Sequence, residues 1–314
     1  MDFILARNPK SGELLKEIAK TSLSTLPQVF VRASQAQKLW STLTVKKRAQ
    51  KLLHLREVLA RRVDELAEVI HQENGKPVIE ALTSEILPAL ELLTFYAEVA
   101  SQGLKDHSIT LRNPFMRYRK STINYWALGT VAVISPWNYP FFLAFGDIAV
   151  AVLTGNAVVF KPSEFTSLVG QKIQELFDES GFPIDLVQTL YGEGDLGSAI
   201  IDQKPAKIFF TGSVRTGKAI MKQASQYLIP VTLELGGKDA MIVLPDANLD
   251  YATSAALWGG YTNSGQACAS TERLLVHESI SKLFIEKLKE KISYLSAETD
   301  LGVVTMDRQK SVYE

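Results

Sequence analysis

The sequence predicts an α/β fold, a parallel sheet with helices packed on both faces. Two observations lead there. From residue 130 onward, short β-rich runs recur: TVAVIS, AVVFK, VQTLY, KIFF, PVTLEL and AMIVL. Helix-type patterns lie between most of them, at 165–180, 195–203 and 215–226. Strand–helix alternation of this kind builds parallel pairs joined by crossovers. With 314 residues, 46% of them hydrophobic, the chain can bury a large core and is long enough for two domains.

Taken in order, the first hundred residues read as helical. From 46 to 72, Leu52, Leu55, Leu59, Val63, Leu66 and Ile70 recur at three- and four-residue steps and form one apolar stripe. The basic opening of that stretch, KKRAQKLLHLREVLARR, is balanced by Asp64, Glu65 and Glu68 and reads as a solvated face rather than a nucleic-acid patch. ENGKP (73–77) breaks the pattern, and a second helix follows to about residue 101. RNPFMRYRKSTINYWALG (112–129) is rich in aromatic and β-branched residues and suggests a two-strand arm. Such an arm is either a surface hairpin or an edge for pairing with another chain.

Composition excludes several classes. Lys plus Arg equals Asp plus Glu, 34 each, which favours neither nucleic acid nor an anionic membrane surface. A single cysteine, Cys268, leaves no internal disulfide and no CxxC site, and the four histidines lack metal-ligand spacing, so no metal is expected. The start, MDFILARNPKSGELL, has no signal-peptide pattern. The most apolar run, FFLAFGDIAVAVLTG (141–155), is too short to cross a bilayer and contains Asp147. A soluble, cytoplasmic protein is expected.

In open parallel sheets ligands sit at the carboxyl ends of the strands, so the segments just after each strand carry the function. FFTGSVRTGKAI (209–220) has Gly212, Gly217 and Lys218 at P-loop spacing, but Ala219 stands where a Walker loop needs a hydroxyl for Mg²⁺. A pyrophosphate held without metal at the helix start fits better than ATP: Gly212 lets the backbone approach and Ser213 can donate a hydroxyl. An ordinary strand-to-helix turn with a capping serine is also compatible. GEGDLG (192–197) satisfies G-x-G-x-x-G, yet the next strand ends in TGS without the acidic residue that the fingerprint wants. In FKPSEF (160–165), Glu164 could accept ribose hydroxyls and repel a 2′-phosphate, which leans toward NAD, while Lys161 offsets part of that repulsion. The same residues could simply cap the next helix.

Three further segments can carry chemistry. In SPWNYP (135–140), Pro136 and Pro140 stiffen the turn around Asn138, whose amide could donate to a developing oxyanion. In LELGGKD (233–239), Glu234 could serve as a general base beside a reactive centre. NSGQACAS (263–270) puts Cys268 among small residues, either as a nucleophile or as a small buried hydrophobe.

SPWNYP, LTGNAVVFKPSE, FTGS, LELGGKDAMIV and NSGQAC, in this order, resemble the aldehyde dehydrogenase superfamily from about residue 20 to the end of the chain. The resemblance implies a Rossmann-like dinucleotide-binding domain over 1–111 and 129–235. It further implies an oligomerisation hairpin over 112–128 and the N-terminal part of an α/β catalytic domain over 236–314. It implies oxidation of an aldehyde to a carboxylic acid with NAD, or NADP, through a thioester on Cys268. Asn138 is then the oxyanion donor and Glu234 the base that activates water. Lys161, Ser163 and Glu164 match the adenosine-ribose segment, and Gly212, Ser213 and Gly217 the pyrophosphate segment. Trp137 then lies in the strip that lines the nicotinamide pocket, and Pro136 and Leu235 are further implied cofactor contacts. A homo-oligomer in a full-length form is implied too. The family's later E-I-F-G-P motif and its C-terminal interface strand are missing after Cys268, so a shortened chain with poor solubility or need of a partner is expected. A non-catalytic dinucleotide-binding remnant, a P-loop nucleotidase, and an acyl-transferring relative using coenzyme A are the other readings.

Overall fold

The computed structural model describes residues 2–116, 118–296 and 299–313. It opens with an antiparallel hairpin where the sequence reads as helical. Strand β1 (Phe3–Arg7) pairs with β2 (Leu14–Ala19), with Ile4 opposite Ile18. Ile4, Ala6 and Ile18 are buried as a satellite core, and the alternating burial of β1 is the period-two signal of a half-buried strand.

Helices α1 (Leu26–Ser41), α2 (Val45–Arg61) and α3 (Val63–Asn74) follow. In α1 the buried residues Leu26, Val29, Ala33, Ala36 and Trp40 step by three and four. Thr44 caps α2 by accepting from Lys47 N. The single stripe expected over 46–72 is two helices, because the chain leaves helical geometry at Arg62 (φ −111°, ψ 16°). Arg62 is held there by Glu65 and Glu175, both 2.7 Å away. Helix α3 ends on Gly75 in the left-handed region (φ 91°), where a Cβ would also lie 2.4 Å from Val303 Cγ2. Next come α4 (Val78–Ala81), a π-helical turn at Leu82–Ile86, and α5 (Leu87–Gly103).

The arm pairs β3 (His107–Ile109) with β4 (Ser121–Ile123) in antiparallel fashion around a short 3₁₀ turn at Pro114–Met116. Its first strand thus precedes Asn113-Pro114 rather than following it; Pro114 cannot donate to a ladder and sits in the connection instead. Arg117, inside the arm, lies outside the described residues.

The main sheet comprises β5 (Thr130–Ile134), β6 (Ala157–Lys161), β7 (Val187–Thr189), β8 (Ile208–Gly212) and β9 (Val231–Leu235), all parallel, in the order β7-β6-β5-β8-β9. Its crossovers are α6 (Phe142–Leu153), α7 (Ser167–Glu179), α8 (Gly194–Asp202) and α9 (Val214–Ser225). Strand β6 is buried throughout and β5 from Val131 onward, as central parallel strands covered on both faces must be. One hydrophobic core runs from α1 to α9. Trp40 Nε1 donates to Val152 O at 2.6 Å and Arg48 Nε to Leu153 O at 2.7 Å, fastening the helical layer to the end of α6.

Beyond β9, β10 (Asp239–Val243) pairs with β11 (Thr271–Val276) in parallel through α10 (Leu249–Tyr261). Helix α11 (Glu278–Ser293) packs there, and Val243, Ala252, Ala256 and Phe284 form a separate small core. A last helix, α12, covers Asp307–Tyr313.

Candidate active site

The turn between β5 and α6 is built around Asn138. Its Nδ2 donates to Gln266 O at 2.9 Å, which ties the turn to the loop that carries Cys268. Its backbone oxygen accepts from Lys76 Nζ and from Asn263 Nδ2, each at 2.9 Å. The preceding carbonyl, Trp137 O, accepts from Asn74 Nδ2 at 2.9 Å. Pro136 and Trp137 are half-buried beside it.

The Cys268 loop leaves α10 through left-handed backbone at Asn263 (φ 52°), Ser264 (φ 56°) and Gly265 (φ 73°). Two non-glycine residues in that region store strain that the surroundings must offset. They do so directly. Both carboxylate oxygens of Glu80 accept from Asn263 N, at 3.2 and 3.1 Å, and Ser264 Oγ donates to Gly302 O at 2.8 Å. Gln266 Nε2 donates to Asn263 O and to Val303 O, and Gln266 Oε1 accepts from Thr305 N. Cys268 itself is exposed, unlike a small core cysteine. Burial raises the Glu80 carboxyl above its ordinary range and raises the Tyr139 phenol, with Glu80, Glu85 and Cys268 adding to the latter.

The predicted cofactor residues lie along the carboxyl edge of the sheet. Lys161 ends β6 with its ammonium donating to Pro162 O at 3.1 Å and 3.5 Å from Glu164 Oε2. Burial lowers the Lys161 pKa and Glu164 opposes the shift. Ser163 accepts from Phe165 N, so its hydroxyl caps a local turn. Ser213 caps α9 by accepting from Thr216 N, and residues 213–216 are exposed. A Cβ on Gly212 would lie 2.6 Å from Phe210 Cζ, and one on Gly217 would lie 2.7 Å from Leu235 Cδ2.

These residues fit a dinucleotide. The strand order reverses between β5 and β8, so the crevice at their carboxyl ends lies between the Pro136–Asn138 turn and Gly212–Ser213. An exposed helix start next to a glycine can receive a phosphate, and a lysine at the end of the neighbouring strand with a glutamate in the turn after it can receive a ribose.

Glu234 lies on the edge strand β9. It is exposed, and its carboxylate has no hydrogen-bond partner among the described residues. No hydrogen bond joins it to Cys268 among the described residues. A second carboxyl stands near it: burial pushes Asp147, on α6, up to about 6, with Glu234 adding to the rise and Lys207 opposing it. Among the described residues no group of three His, Cys, Asp or Glu is arranged to hold a metal ion, and no helix is long and apolar enough to cross a membrane.

Sequence reasoning passed over Lys76, Glu80, Glu85, Asn263 and Gln266. ENGKP looked like a helix break, and only its burial shows Lys76 to be part of the site. Asn263 and Gln266 sit inside the NSGQAC segment, but their side chains act on backbone carbonyls, which no motif spacing reveals.

A Rossmann-like sheet whose β5–α6 turn is hydrogen-bonded to a loop that carries an exposed cysteine sets the class of fold. Known proteins narrow it. The model of the aldehyde dehydrogenase family matches residues 2–311. The chain is 39% identical over 318 residues to a 4,4'-diapolycopene aldehyde oxidase from a Methylomonas species, covering all of this chain and 60% of that protein. It superposes on an aldehyde dehydrogenase from Brucella melitensis with a TM-score of 0.93 at 25% identity, covering 99% of this chain and 65% of that one. Lactaldehyde dehydrogenase from Escherichia coli gives 0.91 at 30% identity, with 98% and 65% covered. The NAD⁺ complex of an aldehyde dehydrogenase from Bacillus cereus gives 0.92 at 28%, with 99% and 64% covered. The chain belongs to the aldehyde dehydrogenase family, and it spans about three-fifths of the length of the Methylomonas relative.

Proposed function

We propose that this chain carries the nucleophile and the dinucleotide-binding face of an enzyme that oxidises an aldehyde to a carboxylic acid. The observation that carries this reading is the 2.9 Å bond from Asn138 Nδ2 to Gln266 O, which brings the rigid β5–α6 turn against the Cys268 loop. In it, the Cys268 thiolate attacks the aldehyde carbon and negative charge develops on the carbonyl oxygen. One N–H of the Asn138 amide is committed to Gln266; the second is free to donate to that oxyanion, together with the backbone N–H of Cys268. When bound, a nicotinamide dinucleotide supplies the hydride acceptor that the oxidation requires. Glu234 takes a proton from the water that hydrolyses the Cys268 thioester, which releases the acid and restores the thiolate.

The cofactor's ribose would meet Lys161 and Glu164, and its pyrophosphate would meet Gly212, Ser213 and the exposed start of α9. Glu164 favours a free 2′-hydroxyl over a 2′-phosphate, so NAD is the preferred form.

The test is reduced-cofactor formation by the wild type and Cys268→Ala. The panel holds short and aromatic aldehydes and, because one relative is named for it, 4,4'-diapolycopene aldehyde. Turnover that vanishes in the variant is expected. Binding of NAD without turnover, in a folded sample, would replace this reading by that of a non-catalytic cofactor-binding chain.

A further inference from the structure

The Lys76 ammonium lies in the interior, 2.6 Å from Glu85 Oε1, and both side chains are 0% exposed. It also donates to Asn138 O at 2.9 Å and stands 4.1 Å from the Tyr139 ring centroid. The other carboxylate oxygen, Glu85 Oε2, accepts from Phe141 N at 2.7 Å and Phe142 N at 3.2 Å. One ion pair therefore grips both ends of the Asn138 turn, its carbonyl at 138 and its exit into α6. Glu85 reaches this place from the π-helical turn at Leu82–Ile86, and such turns recur at functional sites.

We infer that the Lys76–Glu85 pair is the positioning device of the oxyanion donor, holding the 138–142 turn so that the Asn138 amide faces the Cys268 loop. The inference rests on the roles proposed for Asn138 and Cys268. Two features point to geometry rather than stability as the function of the pair. A buried ion pair is commonly replaceable by apolar residues without loss of stability. Moreover, the Asn138 Oδ1 atom is buried without a hydrogen-bond partner among the described residues, so the amide is oriented only through its own Nδ2 and the backbone that Lys76 and Asn263 hold. Burial pushes the Lys76 ammonium below its ordinary range, and Glu85 opposes that shift.

The test separates two reactions of the same thiol. Acylation of Cys268 by p-nitrophenyl acetate forms a sulfur–carbonyl bond, expels p-nitrophenolate and passes through an oxyanion. Alkylation by iodoacetamide displaces iodide and forms none. Lys76→Met, and the neutral pair Lys76→Met/Glu85→Leu, are expected to slow the first-turnover burst of p-nitrophenol by about 10–10²-fold while leaving alkylation unchanged. In the Asn138→Ala background, adding Lys76→Met should slow acylation no further, since both act on one donor. Lys76→Met alone leaves Glu85 unpaired and can unfold; the neutral pair, checked by urea unfolding, keeps the experiment decisive. A folded Lys76→Met/Glu85→Leu protein that acylates at the wild-type rate, or loses alkylation in proportion, overturns the inference. Normal acylation by Asn138→Ala would instead sink the oxyanion role of Asn138, and a wild type without a burst would sink the role of Cys268.

Discussion

At the scale of single residues, Asp147 makes the sharpest stability prediction. Its folded-state pKa of about 6 exceeds the ordinary aspartate value near 3.8, so between those two values the native state holds a proton that the unfolded chain has released. Stability is therefore lost as pH rises from about 4 to about 6 and stays reduced above that, by up to ~3 kcal/mol for a shift of roughly two units. Asp147→Asn should be more stable than wild type at pH 7, equal to it near pH 4, and flatter between. Urea unfolding at several pH values decides it; an unchanged pH profile would mean that the carboxyl is not held neutral. Asp147 was visible in the sequence only as an interruption of an apolar run. Cys268, Asn138 and Glu234 are ordinary in their segments taken singly; five segments in one order, through the family they resemble, singled them out. Lys76 could not be singled out, because an isolated lysine after a glycine is ordinary until its burial is known.

At the scale of elements, close approach between helix and turn sets the constraints. Gly170 on α7 lies against Pro162 in the turn after β6: a Cβ there would be 2.5 Å from Pro162 Cγ and 2.7 Å from its Cβ. A proline ring cannot swing aside, so Gly170→Ala should cost about 1–3 kcal/mol of overpacking. Gly217→Ala meets the terminal methyl of Leu235 at 2.7 Å, which can move, so its effect should be smaller. Urea midpoints of the two variants test the order; equal midpoints would refute it. The main strands and crossover helices were legible because their apolar runs are short and separated by helical periodicity. The β1–β2 hairpin was not: β1 buries only alternate residues, and its partner β2 buries just Ile18. The Asn8–Gly12 turn, closed by Gly12 N donating to Asn8 O, was the signal that could have revealed it. The helix break at Arg62 depends on carboxylates that include Glu175 on α7, more than a hundred residues away, and no local pattern carries that.

At the scale of the whole molecule, the arm and the small sheet both carry open apolar side chains. Phe115, Tyr118 and Trp126 on the arm are 85%, 76% and 86% exposed. Ile242 on β10 and Leu275 on β11 are also open, on a two-stranded sheet with uncovered edges. Exposed aromatic side chains and open strand edges favour association. Sedimentation should show the wild type self-associated at micromolar concentration, and Phe115→Ser with Trp126→Ser should shift it to smaller species. A wild type that sediments as a monomer would argue against the arm as an interface.

The sequence by itself determined the parallel α/β architecture, the segments that follow each strand with the asparagine after β5, and the cysteine in the loop after a helix. Those features are local: strand and helix periodicity, turn chemistry and reactive side chains are all written within a few neighbouring residues. Only the tertiary structure decided how the loops meet. The contacts that join Lys76 to Glu85 and to Asn138, and Asn138 to Asn263 and Gln266, span separations of 9 to 128 residues. Their energies come from burial and from donors aimed at backbone carbonyls, which depend on where the sheet and helices bring distant chain segments together.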